Sequence, residues 1–198
     1  MKIIIIGSTG TIGKEVARSL GKKHEVIGAS RKGDIQVDLS TPDSIKKMYQ
    51  SIRDIDAVIS AAGEARFGSI DSLTNDDINL GLKSKLMGQI NLVRYGRKYL
   101  KKGGVVTLTT GILAHNPNPQ TPMLTMINIG LEAFVESSAQ DMPNHMRLNA
   151  VCPPMAKETA EKMGWGPGGV PAAEIAKYYV QSVESSLNGA LIGPTHSN

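Results

Sequence analysis

The stretch from Ile3 to Gly13 constrains the fold of this chain more than any other segment. Four consecutive isoleucines lead directly into a turn that carries Gly7, Gly10 and Gly13. A continuous β-branched run is typical of a strand buried on both faces, and the segment from Lys14 to Leu20, which contains no helix breaker, predicts a helix. The first amides of such a helix point back into the turn, where they can bind a phosphate group.

Strand and helix patterns alternate along the rest of the chain. After the first strand, strands are predicted at residues 25–30, 35–39, 56–63, 105–110, 147–152 and 190–192. After the first helix, helices are predicted at residues 42–52, 75–102, 123–141 and 172–187. This alternation predicts one α/β domain over residues 1–198, a single-domain Rossmann fold in which helices flank a doubly wound parallel sheet of about seven strands.

Composition argues against several classes of function. The net charge of +4 comes from scattered basic residues, and two phenylalanines and one tryptophan give no platform for stacking bases, so nucleic-acid binding is not expected. The one cysteine, Cys152, excludes an internal disulfide. The four histidines lie too far apart in sequence for a local metal-binding pattern, and we expect no metal. They are His24, His115, His145 and His196.

Hydropathy indicates the expected location of the protein. No apolar run approaches the eighteen or so residues that a membrane span needs. The chain enters its first strand directly after Met1 rather than through a signal peptide. We therefore expect a cytoplasmic protein without a membrane segment.

The end of the second predicted strand bears on which dinucleotide would bind. In dinucleotide-binding folds this position meets the adenosine ribose, where an acidic residue favours NAD and an arginine accommodates the 2′-phosphate of NADP. Here the strand ends in Ser30 and Arg31, and no carboxylate follows until Asp34. The sequence therefore predicts that NADP(H) is preferred over NAD(H), with Arg31 as the charge partner.

Taken in order, these segments resemble the short-chain dehydrogenase/reductase family over essentially the whole chain. The resemblance implies a seven-stranded Rossmann sheet and a homodimer or homotetramer built through the helices around residues 76–102 and 123–141. It also implies a set of cofactor-binding residues. These are Gly7, Ser8, Thr9, Gly10, Thr11, Ile12 and Gly13 in the first turn, Ser30 and Arg31, Asp38 and Leu39, Ala61, Ala62 and Gly63 after the fourth strand, and Pro153 and Thr159 near the nicotinamide.

The resemblance fails at the catalytic residues of the family. Family members transfer a hydride between the nicotinamide and a carbonyl or alcohol carbon, and use a Tyr-x-x-x-Lys pair for proton transfer. In this chain the tyrosine and lysine positions are assigned to Met126 and Gly130. No tyrosine or lysine occurs between Gly103 and Ala156, so no local change of register restores the pair. A thioether cannot donate a proton, and the usual mechanism is therefore excluded.

Three residues are candidates for an altered mechanism. The family serine that orients the carbonyl falls on Thr109 or Thr110, and we expect Thr110 to hold the substrate oxygen. The family asparagine falls on Lys85, a candidate charged donor. His115, on the loop after the fifth strand, is a second candidate acid.

Two functions stay open on the sequence alone. The chain is either an NADP(H)-dependent oxidoreductase with a non-standard site, acting on an unknown small carbonyl or alcohol, or a non-catalytic NADP(H)-binding sensor or partner subunit. An ATPase is disfavoured because Glu15, not serine or threonine, follows Gly13-Lys14. A thiol nucleophile at Cys152 is also disfavoured, and the segment around Trp165 shows no recognisable substrate pocket.

Overall fold

A computed structural model describes residues 1–194, and His196, one of the four histidines considered above, lies outside them. Within the described residues, seven parallel strands form one sheet in the order β3-β2-β1-β4-β5-β6-β7. The strands are β1 Lys2–Ile6, β2 Glu25–Ser30, β3 Ile35–Gln36, β4 Ile55–Ser60, β5 Leu100–Thr109, β6 Arg147–Val151 and β7 Leu191–Ile192. The strand order reverses between β1 and β4, which is where open α/β sheets bind ligands.

Helices cover both faces of this sheet, which confirms the predicted fold class. They are α1 Thr11–Leu20, α2 Pro42–Ser51, α3 Asn75–Gly81, a π-helical segment Leu82–Met87, α4 Gly88–Gly96, α5 Pro122–Ser138, α6 Lys157–Lys162 and α7 Ala172–Glu184. Helices α1 and α7 pack on one face, and α2, α4 and α5 pack on the other.

The four isoleucines of β1 show why the sheet needs two helical layers. Ile3 and Ile5 belong to the core under α1 and α7, whereas Ile4 and Ile6 belong to the core under α2 and α4. All four are buried. Since burying one such side chain contributes about 1.5–3 kcal/mol, the alternation along one strand stabilises both layers at once.

The predicted helix over residues 75–102 is wrong at its end. The helix stops at Gly96, and Leu100 already pairs with Ile55 as the first residue of β5. A β-carbon on Gly96 would lie 2.7 Å from the hydroxyl of Tyr49 in α2, so this glycine allows α2 and α4 to pack closely. The helix ends well before Gly103, the glycine that marks its predicted end in the sequence. The pairing of Leu100 with β4 then takes the next residues into the sheet.

The predicted third strand is also too long, because residues 37–39 leave the sheet. The backbone N–H of Asp38 donates to Ser44 Oγ of α2, and the Asp38 carboxylate accepts from the backbone and hydroxyl of Ser40. These side-chain bonds replace strand pairing at this point.

No helix in residues 1–194 has the length and apolar character that crossing a bilayer requires.

Candidate cofactor cleft and active site

A cleft of about 660 Å³ opens at the carboxyl ends of β1, β2 and β4. The sequence-predicted residues that line it are Gly7, Thr9, Gly10, Ser30, Arg31, Asp38, Leu39, Ala61, Ala62 and Gly63. Lys32, Glu64 and Ser84 complete its polar wall, and they were not predicted. The structure therefore brings most of the predicted residues into one cavity, at the point where the strand order reverses.

The glycine turn forms one wall of the cleft and admits no side chains at two positions. Gly7 has φ +83°, and a β-carbon there would lie 2.6 Å from the carbonyl oxygen of Ala61. A β-carbon on Gly13 would overlap the Gly7 carbonyl. Helix α1 starts after Gly10 with no side-chain cap and no acidic residue in its first turn. Its first N–H groups lack helical partners, as at every helix start, and an anion can accept from them.

Four other predicted residues, of which two belong to the same turn, do not line the cleft. The Ser8 hydroxyl packs over Gly28 of β2, where a β-carbon would lie only 2.6 Å away. Ile12 packs on the core under α1 and α7. The carbonyl of Pro153 accepts from the backbone of Ile112, and Thr159 lies in α6, one turn before Lys162. None of these four is among the residues that line the cleft.

Lys162 places a positive charge beside the start of α1. Its Nζ lies 3.3 Å from the Thr11 hydroxyl, although the two residues are 151 positions apart in sequence. The ammonium and the first amides of α1 therefore point at the same space, which favours a phosphate there. Sequence reasoning missed Lys162 because no local pattern indicates that α6 brings this side chain to Thr11.

The end of β2 carries a second cation. Arg31 Nη1 lies 3.0 Å from Glu64 Oε2, and both side chains are exposed. Glu64 follows Gly63 on the segment after β4, so the ion pair crosses the cleft. An exposed pair of this kind contributes at most about 1 kcal/mol, and Arg31 can therefore exchange Glu64 for another anion.

At the other end of the site, Lys85 lies in the π-helical segment. Its Nζ donates to the carbonyls of Thr109 and Thr110 at 3.4 and 3.3 Å. Burial lowers the pKa of this ammonium to about 8. A β-carbon on Gly63 would lie 3.1 Å from Lys85 Cα, so the glycine lets the lysine pack against the cleft wall. Single-turn π segments occur frequently at functional sites.

The two threonines at the end of β5 are occupied by internal hydrogen bonds. The Thr109 hydroxyl donates to the Ser60 carbonyl and is also bonded to the Tyr179 hydroxyl. Thr110 is only 3% exposed, and its hydroxyl donates to Glu132 Oε1 at 3.0 Å. The Thr110 hydroxyl therefore faces the protein interior, where it bonds to Glu132.

Glu132 and His115 form a pair that sequence reasoning did not find. His115 Nε2 lies 2.8 Å from Glu132 Oε2. The Cys152 thiol is adjacent, and the side-chain N, O and S atoms of the three residues lie within 4.8 Å of one another. A glutamate on the apolar helix α5 has no sequence signal, because only the fold shows that it points at the end of β5.

Met126 and Gly130 do not point into this region. Met126 is 47% exposed, and Gly130 is also exposed. The side of α5 that meets the end of β5 carries Asn128 and Glu132, which bond to Gly111 and Thr110. A register two residues earlier would put Leu124 and Asn128 at the two family positions, and the Tyr-x-x-x-Lys pair is missing in either register.

Comparison with known proteins identifies the family. A family model described as enoyl-(acyl carrier protein) reductase matches residues 4–181. A crystal structure of the protein lin1944 from Listeria innocua is 40% identical, has a TM-score of 0.94, and covers 98% of this chain and 99% of that one. A small-chain dehydrogenase solved in complex with NADPH is 24% identical, has a TM-score of 0.87, and covers 98% and 95% of the two chains.

Curated relatives match a smaller part of their own length. Glucose and ribitol dehydrogenase homolog 2 of Arabidopsis thaliana is 24% identical over 147 residues, which are 71% of this chain and 51% of that protein. Trihydroxynaphthalene reductase of Colletotrichum orbiculare is 25% identical over 176 residues, 76% of this chain and 62% of that protein. The chain thus spans about half to three fifths of the length of these relatives.

Together with the parallel seven-stranded sheet and the glycine turn, the match to the family model shows that the chain belongs to the short-chain dehydrogenase/reductase family.

Proposed function

We propose that this protein binds NADP(H) and is an oxidoreductase that acts on a small carbonyl or alcohol through a non-standard site. The observation that carries the proposal is the placement of Lys162 and Arg31. Arg31 lies at the end of β2 and lines the cleft. Lys162 lies beside the start of α1, next to the same cleft. A pyrophosphate and a 2′-phosphate would need positive charge at these two places.

The residues of the cleft fit such a cofactor. The turn at Gly7 and Gly13 leaves backbone where side chains would collide, so a pyrophosphate can approach closely. Beyond the cleft, near the end of β5, Asn128 Oδ1 is buried and has no hydrogen-bond partner among the described residues. A buried acceptor of this kind needs a donor, and a ribose hydroxyl or an ordered water would supply one. When bound, the nicotinamide would supply the hydride, and the chain would bind and orient it.

Cofactor preference is tested by calorimetric titration with NADPH and NADH. We expect NADPH to bind more tightly, and Arg31→Ala to remove most of that difference while NADH affinity stays nearly unchanged. Arg53→Ala is the matched control, because Arg53 is an exposed arginine between α2 and β4, at the amino ends of the strands. Equal affinities for the two cofactors in the unmodified protein would contradict the assignment of Arg31.

The alternative function is an NADP(H)-binding sensor or partner subunit without catalysis. The observation in its favour is that Thr110 bonds to Glu132 and not to an open site, while the tyrosine and lysine are absent. NADPH consumption with benzaldehyde, cyclohexanone and menadione separates the two functions. Proven cofactor binding without turnover of any carbonyl would favour the sensor.

We further propose a homo-oligomer built through the helical layer that contains α4 and α5. Three large apolar side chains on this layer are exposed in the single chain, namely Met87, Met126 and Ile129. Exposed apolar side chains grouped in this way are typical of subunit contacts. Light scattering of the purified protein, repeated on Ile129→Lys, tests the interface, and a monomeric unmodified protein would contradict it.

A further inference from the structure

The proton-transfer group that replaces the missing tyrosine is the open question at this site. Within residues 1–194, the pair of His115 and Glu132 lies directly beyond the end of β5, next to Thr110. The next strand, β6, ends at Val151, and Cys152, the residue after it, lies beside the same pair. Reacting groups in open α/β sheets lie outside the carboxyl ends of the strands, and this pair occupies such a position.

Glu132 is fixed by two donors. Its side chain is only 6% exposed. Thr110 donates to Oε1 at 3.0 Å, and His115 Nε2 lies 2.8 Å from Oε2. A buried carboxylate is stable only when such partners satisfy it, so both bonds hold the carboxylate in one orientation.

His115 connects this buried carboxylate to solvent. Its side chain is 39% exposed, and it follows the short helical turn Ile112–Ala114 that leaves β5. When Glu132 accepts from Nε2–H, the ring gains or loses its second proton at Nδ1. Orientation of an imidazole by a buried carboxylate is the arrangement that prepares histidine for general acid–base catalysis.

A chain of contacts links the pair to the wall of the cofactor cleft. Ser84 and Gly63 line that cleft, and Lys85 packs on Gly63 while its ammonium lies on the carbonyls of Thr109 and Thr110. Thr110 is the residue that bonds to Glu132. Among the described residues, the titratable groups next to His115 include Glu132 from α5 and Cys152, the residue after β6. Lys85 from the π-helical segment interacts in turn with Cys152.

We propose that His115 is the acid–base group of this site, and that Glu132, held by Thr110, is its positioning residue. The inference rests on the proposed function. When a carbonyl is reduced to an alcohol and NADPH is oxidised to NADP⁺, the carbonyl carbon takes the hydride and its oxygen takes one proton. The imidazolium of His115 gives that proton from Nδ1 and takes another from solvent. Alcohol oxidation uses the same nitrogen as the base.

Kinetics of two variants test the roles of the pair. With the best substrate among benzaldehyde, cyclohexanone and menadione, His115→Gln is expected to lower kcat about 100-fold, the lower end of general acid–base effects. Glu132→Gln is expected to lower kcat about tenfold with KM nearly unchanged, because it misorients the acid but does not remove it. In both variants NADPH affinity stays within about twofold, since neither residue lines the cleft.

A second His–Glu pair in this chain is the matched control. His24 Nε2 lies 3.2 Å from Glu184 Oε1 at the amino ends of the strands, remote from the cleft. His24→Gln and Glu184→Gln are expected to leave kcat unchanged. Equal losses in the two pairs would assign the effect to stability and overturn the inference.

A spectroscopic measurement tests the positioning without turnover. In protein labelled with ¹⁵N-histidine, the neutral His115 ring should carry its proton on Nε2, and Glu132→Gln should produce a mixture of tautomers. An unchanged tautomer together with unchanged kcat would overturn the role of Glu132. Tight binding of added Zn²⁺ that Cys152→Ser abolishes would assign the three side chains to a metal instead, and would also overturn the inference.

The two proposals fail in different ways. If NADPH binds and carbonyls are reduced, but His115→Gln turns over like the unmodified protein, this inference is wrong and the proposed function stands. If neither NADPH nor NADH binds, the proposed function is wrong, and the tautomer measurement still reports on the pair.

Discussion

The two ends of the candidate site differ in how far they follow the family pattern. At the end formed by β1, β2 and α1, the glycine turn and Arg31 lie where the sequence predicted them, and Gly7, Gly10 and Arg31 line the cleft. At the end formed by β5, β6 and α5, the tyrosine and lysine are missing, and Lys85, Glu132 and His115 occupy the region. The glycine turn lies between β1 and α1, whereas the missing tyrosine and lysine belong to α5, so this fold can retain the turn without the pair.

The largest effect is expected from Gly13→Ala, which breaks the close packing of the glycine turn at the first end. The new β-carbon would overlap the Gly7 carbonyl, and overpacking of this kind lowers the free energy of unfolding by about 1–3 kcal/mol. We expect NADPH and NADH binding to be lost together, because the turn moves away from the pyrophosphate. Calorimetry and urea denaturation measure both effects.

Gly168→Ala is the control for this substitution. A β-carbon on Gly168 would meet no heavy atom within 4 Å, so stability and binding should not change. Retained cofactor affinity in Gly13→Ala would mean that the turn does not carry the binding site.

At the second end, Lys85→Met is expected to raise stability at neutral pH. Burial lowers the pKa of Lys85 to about 8 from its ordinary value of 10.5, so the folded state disfavours the charged form. A shift of this size corresponds to at most about 3 kcal/mol, which Lys85→Met would recover below pH 8.

The sign of the pH dependence provides a second measurement. Between pH 8 and 10.5 the unfolded chain binds more protons at Lys85 than the folded chain does, so this group makes stability rise with pH. Urea midpoints over this range should rise less steeply in Lys85→Met than in the unmodified protein. Parallel curves would show that the Lys85 ammonium is not desolvated.

A smaller effect is expected from Lys162→Ala at the first end. Its ammonium lies on an exposed surface beside Thr11, so its loss should weaken NADPH and NADH alike by about 1 kcal/mol, or about fivefold. Lys157→Ala, on the same helix, is the control. A loss confined to NADPH would place Lys162 at the 2′-phosphate and contradict its assignment to the pyrophosphate.

The smallest effect is expected from Glu64→Gln, which tests whether Arg31 binds the 2′-phosphate of NADPH. Removing the carboxylate that pairs with Arg31 frees the guanidinium, and removes a negative charge from the space of a 2′-phosphate. We expect NADPH to bind about two- to threefold more tightly, in line with an exposed ion pair of about 0.5 kcal/mol. NADH affinity should not change, and an equal gain for both cofactors would contradict this placement of Arg31.

The backbone structure at the first end of the site could be predicted because its signals are local. Strand, turn and helix follow one another between Lys2 and Leu20, and each part has its own pattern. The same is true of Ser30 and Arg31 at the end of β2. Prediction failed where residues at distant positions decide the structure. The helix ends at Gly96, six residues early, because Leu100 pairs with Ile55 in the sheet.

By itself the sequence determined the class of fold, the phosphate-compatible turn, and the absence of the tyrosine and lysine. Periodicity and glycine spacing fix these features, because they follow from backbone conformation and residue chemistry alone. Only the tertiary structure decided that Lys162 faces Thr11, and that Glu132 joins Thr110 to His115. These contacts connect different elements, and only the folded sheet, which brings its strand ends together at one edge, determines which residues meet there.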